Sequence, residues 1–190
     1  MVCCLVPANF NPDVQRSFQI SREAAQAAPD KPAPGMMDGL ARASPQGRYD
    51  CYSLVAAIMD RHSLDRCVSA STSDVMKWIA ASRLSDAETE TLFRVMFNAR
   101  KALGQNLPKA QVTPGEVKKA MLAMGAELDR ENPIGTPLRT RYRNAALHLD
   151  RASADDICFV GQVGLQLMLA LDPTSRDVML LTGQMGVTPD

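Results

Sequence analysis

Apolar residues recur at three- and four-residue intervals along most of this chain, and the densest apolar run lies towards its carboxyl end. Ile157, Cys158, Phe159, Val160, Val163, Leu165, Leu167, Met168, Leu169, Ala170 and Leu171 are interrupted only by Gly161, Gln162, Gly164 and Gln166. The run is shorter than the roughly 18 to 20 residues needed to span a bilayer, and it carries two amides, so it reads as a buried core element without stable membrane insertion. Its period is ambiguous. Val163, Leu165, Leu167, Leu169 and Leu171 alternate with other residues as in a strand, and a turn at 173–177 would lead into a second strand over Val178–Leu181. Leucine, methionine, alanine and glutamine are helix formers, however, and Ser153 with Asp156 offers a start cap. A helix apolar all round belongs in the middle of a bundle, and the helical reading is preferred.

The preceding chain supplies elements to surround it. After Gly47, Cys51, Leu54, Val55, Ile58, Met59 and His62 repeat at helical spacing, with Asp50 placed to accept the first free amide protons. Ser71 to Ser73 cap a second helix, with Val75, Met76, Ile79, Ala80 and Leu84 inward. Ser85 and Glu88 form a capping box for a third, whose stripe is Leu92, Phe93, Met96, Phe97 and Leu103 up to Gly104. Thr113-Pro114-Gly115-Glu116 repeats the device ahead of Val117, Ala120, Met121, Met124 and Leu128. Thr136-Pro137 opens a fifth helix, running to Asp150, with Leu138, Tyr142, Ala145 and Leu149 inward. Before these, Asn11 and Pro12 can open a short helix that a Pro-rich linker ends over residues 28–35. The expectation is all-α: an irregular bundle of about six to seven helices over residues 45–190 behind a flexible segment, residues 1–44.

Charge narrows the functions. Lys plus Arg equals Asp plus Glu, 21 against 21, so no global field recruits nucleic acid or an anionic membrane, and partners are recognised locally. Aromatic residues are scarce and methionines plentiful, which suits helix packing better than base stacking. Cys3, Cys4, Cys51, Cys67 and Cys158 lack paired spacing and a secretory signal, which argues for reduced thiols in a cytoplasmic setting. Cys51, His62 and Cys67 lack the paired spacing of a zinc site, and neither metal nor cofactor is expected. The loose leader is also compatible with export from a bacterial cell through a needle-type secretion system.

Two stretches resemble known families. Asp50-Cys51-Tyr52-Ser53-Leu54-Val55 resembles the Asp-Cys-Ser-Gly-Leu-Val nucleophile motif of the NlpC/P60 peptidases, and Gly161-Gln162-Val163-Gly164-Leu165 resembles the Gly-His-Val-Gly-Ile strand that carries their general base. That resemblance implies an α+β papain-like hydrolase with Cys51 as nucleophile. Glutamine stands at 162 in place of the base, which leaves His148 as the substitute, oriented by Asp150 or Asp155. A thiol in the first turn of a helix would gain thiolate character from the dipole. The other resemblance is to a tetratricopeptide repeat. Gly161, Leu165, Met168, Leu171-Asp172-Pro173 and Gly183 resemble its second helix running into the next repeat, which implies a small residue at a tight crossing and the helix from Pro137 as antiparallel partner. No array is visible, so the expectation is one hairpin inside a bundle.

Arg139, Arg141 and Arg143 form a local basic cluster suited to a partner's acidic face or a phosphate, although helical phase aligns 139 with 143 and sends 141 elsewhere. The expected function is a non-enzymatic protein–protein interaction module of a bacterial secretion-associated or effector type. Its binding surface is expected where these arginines meet the methionine-bearing faces of the fourth and last helices. The alternative is a cysteine hydrolase, active or degenerate, using Cys51 and His148.

Overall fold

The apolar run from 157 to 171 is helical. Ser153 Oγ accepts the Asp156 amide at 3.1 Å to start the helix, and Leu171 ends it. Asp172 then accepts the amides of Thr174 and Ser175 at 3.0 and 3.1 Å, and Pro173 occupies the first turn of the next helix, where a missing N–H costs nothing. Val178–Leu181 therefore lies in a helix.

The structure, a computed structural model, describes residues 12–27, 35–61 and 84–185. Among these it contains eight helices and no strand: α1 Pro12–Ala27, α2 Met36–Arg42, α3 Pro45–Arg61, α4 Asp86–Gly104, α5 Pro114–Glu131, α6 Pro137–Leu147, α7 Ala154–Ala170 and α8 Pro173–Met185. The protein is an all-α helical bundle. The helix expected after Ser71 to Ser73 lies outside the described residues.

Two helices organise the packing. Helix α4 carries α1, α2 and α3, while α7 carries α3, α5, α6 and α8, so α3 belongs to both groups. Leu40, Val95 and Ala99 bury together with Cys51 against them, Leu54 and Ile58 join Leu84 and Leu92, and Val117, Ala120 and Val178 join Val112 and Met179. The two amides of the apolar run both reach α3, where Asp60 Oδ1 accepts from Gln162 at 2.7 Å and from Gln166 at 3.0 Å. None of the described helices is long and apolar enough to cross a membrane.

Several helix faces differ from expectation. The first described packed helix after the linker is α2, with Leu40 and Ala41 buried, so the packed region reaches back past the boundary drawn at residue 45. Helix α3 begins at Pro45, with Ser44 Oγ accepting the Gly47 amide at 3.2 Å, and Asp50 pairs with Gln46 and Arg94 instead of capping. On α4 the buried ridge is Val95, Ala99, Ala102 and Leu103, and Phe93 and Phe97 face outward. Small residues let α2 approach closely, and the adjacent phenylalanines are turned away by the same phase. Met121 and Leu149 are likewise exposed, and α6 stops at Leu147.

Candidate functional site

Helix α6 is set by Thr136, whose Oγ1 accepts the Arg139 amide at 3.3 Å, and by Pro137 in the first turn. From that start the three arginines leave in different directions. Arg139 reaches back to α5 and pairs with Asp129 at 2.6 Å, with its Nη1 sealed from solvent and without a hydrogen-bond partner. Arg141 reaches forward to α7, where its Nε donates to Asp156 at 2.8 Å and its guanidinium lies 4.3 Å from the centroid of the Phe159 ring. Arg143 is exposed. The cluster expected from the sequence is thus divided among α5, α7 and solvent.

Electrostatics follow the same division. Hydrogen bonds from Arg141 and then Ser153 hold the Asp156 carboxyl below the usual carboxylate range. Burial raises the Tyr142 phenol, and the nearby Arg139 charge partly offsets that rise.

A cleft of about 340 Å³ opens where α6 ends and α7 begins, lined by Arg141, Asn144, His148, Arg151, Ser153 and Asp156. Its cations are already matched, Arg141 by Asp156 and Arg151 by Asp150 at 3.3 Å. A bare anion would have to displace a carboxylate that is present at full effective concentration, so a charge-only receptor is disfavoured. Beside the cleft the same corner exposes Leu147, Leu149 and Ile157 at 65%, 49% and 48%. Three large exposed aliphatic side chains at one helix junction are the composition of a protein-contacting surface.

The thiol and the imidazole proposed from the hydrolase resemblance are not brought together. Cys51 is the seventh residue of α3, past the first turn, and packs on Leu40, Val95 and Ala99. Burial pushes its pKa up to about 11, away from thiolate. His148 lies instead in the cleft at the end of α6. Gln162, at the position of that family's base, is bonded to Asp60. Cys158 is buried in α7. His62 and Cys67 lie outside the described residues, as do Cys3 and Cys4. No three His, Cys, Asp or Glu residues among the described ones are grouped to hold a metal ion. Gly161, the small residue of the repeat resemblance, has open space around its Cα, whereas Gly164 lies against Tyr142 and Met124. Met124 and Met179 serve helix packing rather than an open face.

No family model, curated protein or solved structure matches the chain.

Sequence reasoning found Arg141 but not its partners. Asp156 and Phe159 stand three residues apart on α7, and that spacing is the one signal that could have marked a shared face for Arg141.

Proposed function

We propose that this protein is a non-enzymatic protein–protein interaction module that engages its partner through the corner between α6 and α7. The observation that carries this is the exposure of Leu147, Leu149 and Ile157 at the α6–α7 junction, next in sequence to the residues of a cleft whose charges are already paired. Burying such side chains is worth roughly 1.5–3 kcal/mol each, enough to dominate an interface whose ion pairs contribute little at the surface. The hydrolase alternative asks for a thiolate at Cys51, which its packing opposes.

The test is proximity labelling in the native host with the full chain and with Leu147→Glu/Ile157→Glu. Both positions are exposed, so the variant keeps the helical circular dichroism of the parent. A partner labelled by the parent and lost from the variant is expected. Identical partner sets from both proteins would refute the assignment of the corner.

A further inference from the structure

Ion pairs account for most of the charge carried by α6 and the start of α7, and they leave one arginine over. Arg139 goes to Asp129, Arg141 to Asp156 and Arg151 to Asp150. Arg143 is exposed and has no ion-pair partner among the described residues. Helical phase decides where its charge stands. Residues four apart share a face of a helix, so Arg143 lies one turn from the exposed Leu147 on the outer side of α6. Asp155, the exposed acid in the first turn of α7, is two residues from Ile157, and residues two apart do not share a face. The positive end of the α7 dipole also offsets its charge. On the Ile157 face itself, the residues one turn away are Ser153 and Gly161, both exposed and uncharged. The apolar patch is therefore flanked by one unmatched charge, and that charge is positive.

We propose that the partner bound at this corner is an acidic amphipathic peptide segment, whose apolar side chains cover Leu147, Leu149 and Ile157 while a carboxylate at its edge takes the Arg143 guanidinium. This rests on the corner being the binding surface and adds the chemistry of what it binds. A basic segment would set its charge against Arg143, and a neutral one would strip water from the guanidinium without supplying a charged acceptor. A carboxylate matches the planar fork of arginine through two parallel hydrogen bonds. A small free anion meets only one unpaired guanidinium here and gains nothing from the aliphatic side chains beside it.

Panning a random peptide library displayed on phage against the full chain tests the proposal, with Leu147→Glu/Ile157→Glu as the counter-selection. Peptides enriched on the parent alone, apolar on one side and with an excess of Asp and Glu, are expected. No enrichment over the counter-selection would overturn the corner itself and this inference with it. Enriched peptides that are neutral or basic would overturn the acidic partner alone and leave the corner standing. Fluorescence anisotropy with one enriched peptide then locates the charge. Arg143→Ala is expected to weaken binding about two- to fivefold, as the loss of one exposed ion pair does, Arg143→Glu by more and Arg143→Lys by less. Raising the salt to about 0.5 M should narrow the gap between parent and Arg143→Ala. Asp155→Asn should bind as the parent does. An Arg143→Ala that binds like the parent, or an Asp155→Asn that changes binding as much as Arg143→Ala, would overturn the proposal. Unchanged helical circular dichroism in every variant separates a lost contact from a lost fold.

Discussion

Arg48 of α3 and Asp177 of α8 meet through two parallel hydrogen bonds, Nε to Oδ1 at 2.6 Å and Nη2 to Oδ2 at 2.7 Å. Arg48 is 2% exposed, and its remaining Nη1 donates to the carbonyl of Leu40 at 3.2 Å and to that of Ala43. One guanidinium thus serves the end of α2 and ties α3 to α8. Arg176, the neighbour of Asp177, lies 4.1 Å from the centroid of the Tyr49 ring, the neighbour of Arg48, so the same two helices are joined twice. The planar fork of arginine suits this arrangement, and lysine could not reproduce it.

Removing one member of such a pair is costly because the other stays buried and charged. Asp177→Ala is expected to lower stability by about 3 kcal/mol, the low end of the usual range because the aspartate side chain keeps 21% exposure. The double variant Arg48→Met/Asp177→Leu removes the stranded charge and should be more stable than Asp177→Ala. Urea unfolding of the three proteins measures both differences. A cost for Asp177→Ala of less than about 1 kcal/mol, the level of a surface pair, would show that the contact fastens nothing.

Gly39 and Gly161 make opposite predictions from the same substitution. A Cβ on Gly39 would press into the backbone carbonyl of Ala99, with the carbonyl carbon only 2.8 Å away, where α2 crosses α4. Backbone cannot swing aside as a long side chain can, so Gly39→Ala is expected to cost about 1–3 kcal/mol. Gly161 lies within α7 with nothing near its missing Cβ. There alanine removes only the entropic penalty of glycine in a helix, and Gly161→Ala should stabilise by up to about 1 kcal/mol. Thermal unfolding followed by circular dichroism checks both signs. A destabilising Gly161→Ala would reveal a tight crossing at that position, as the repeat resemblance implied.

Helix starts were legible in the sequence because their chemistry is local. Ser85 with Glu88, Thr113 with Glu116, Thr136, and Ser153 with Asp156 each cap within a few residues, and all cap as read. Helix faces were less so. On α4, Leu92 with Phe93 and Met96 with Phe97 are adjacent apolar pairs, and the pattern alone does not say which member turns inward. Ala99 decides it, since α2 can approach only where the ridge is small. Helix α2 itself is too short for a periodic signal, and its place depends on Gly39 and on Arg48, both long-range facts. The candidate site divided in the same way: helical phase separated Arg141 from Arg139 and Arg143, but Asp129, Asp156 and Phe159 became their partners only through tertiary packing.

Acid should loosen the helix starts. Hydrogen bonds from the Ser85 backbone and side chain, with Arg61, hold Glu88 below its ordinary value of 4.5, and those from Thr113 do the same for Glu116. A carboxyl whose pKa is lower in the folded state stabilises the fold above its unfolded value, and that contribution disappears as pH falls through the folded one. Stability is therefore expected to hold at neutral pH and to decline once the pH drops below about 4.5. Glu88→Gln/Glu116→Gln removes two of the groups responsible and should flatten the decline. Unfolding midpoints measured against pH decide it, and parallel curves for parent and variant would mean that the capping glutamates are not the groups being protonated.

The chemistry of Cys51 follows from its neighbours. Cys51 is partly buried against Leu40, Val95 and Ala99, and burial raises its pKa from 9.0 to about 11. The thiolate fraction at neutral pH is then roughly a hundredfold below that of an open thiol. Iodoacetamide at pH 7.5 should modify Cys51 far more slowly in the native protein than in urea, with the site read by peptide mass mapping. The side chain is only partly buried, so the native rate is set chiefly by the small thiolate fraction, and Asp177→Ala and Gly39→Ala are expected to raise it as they loosen the packing around α3. Rapid native modification, insensitive to those destabilising changes, would mean a thiolate poised at the surface and would return Cys51 to consideration as a nucleophile.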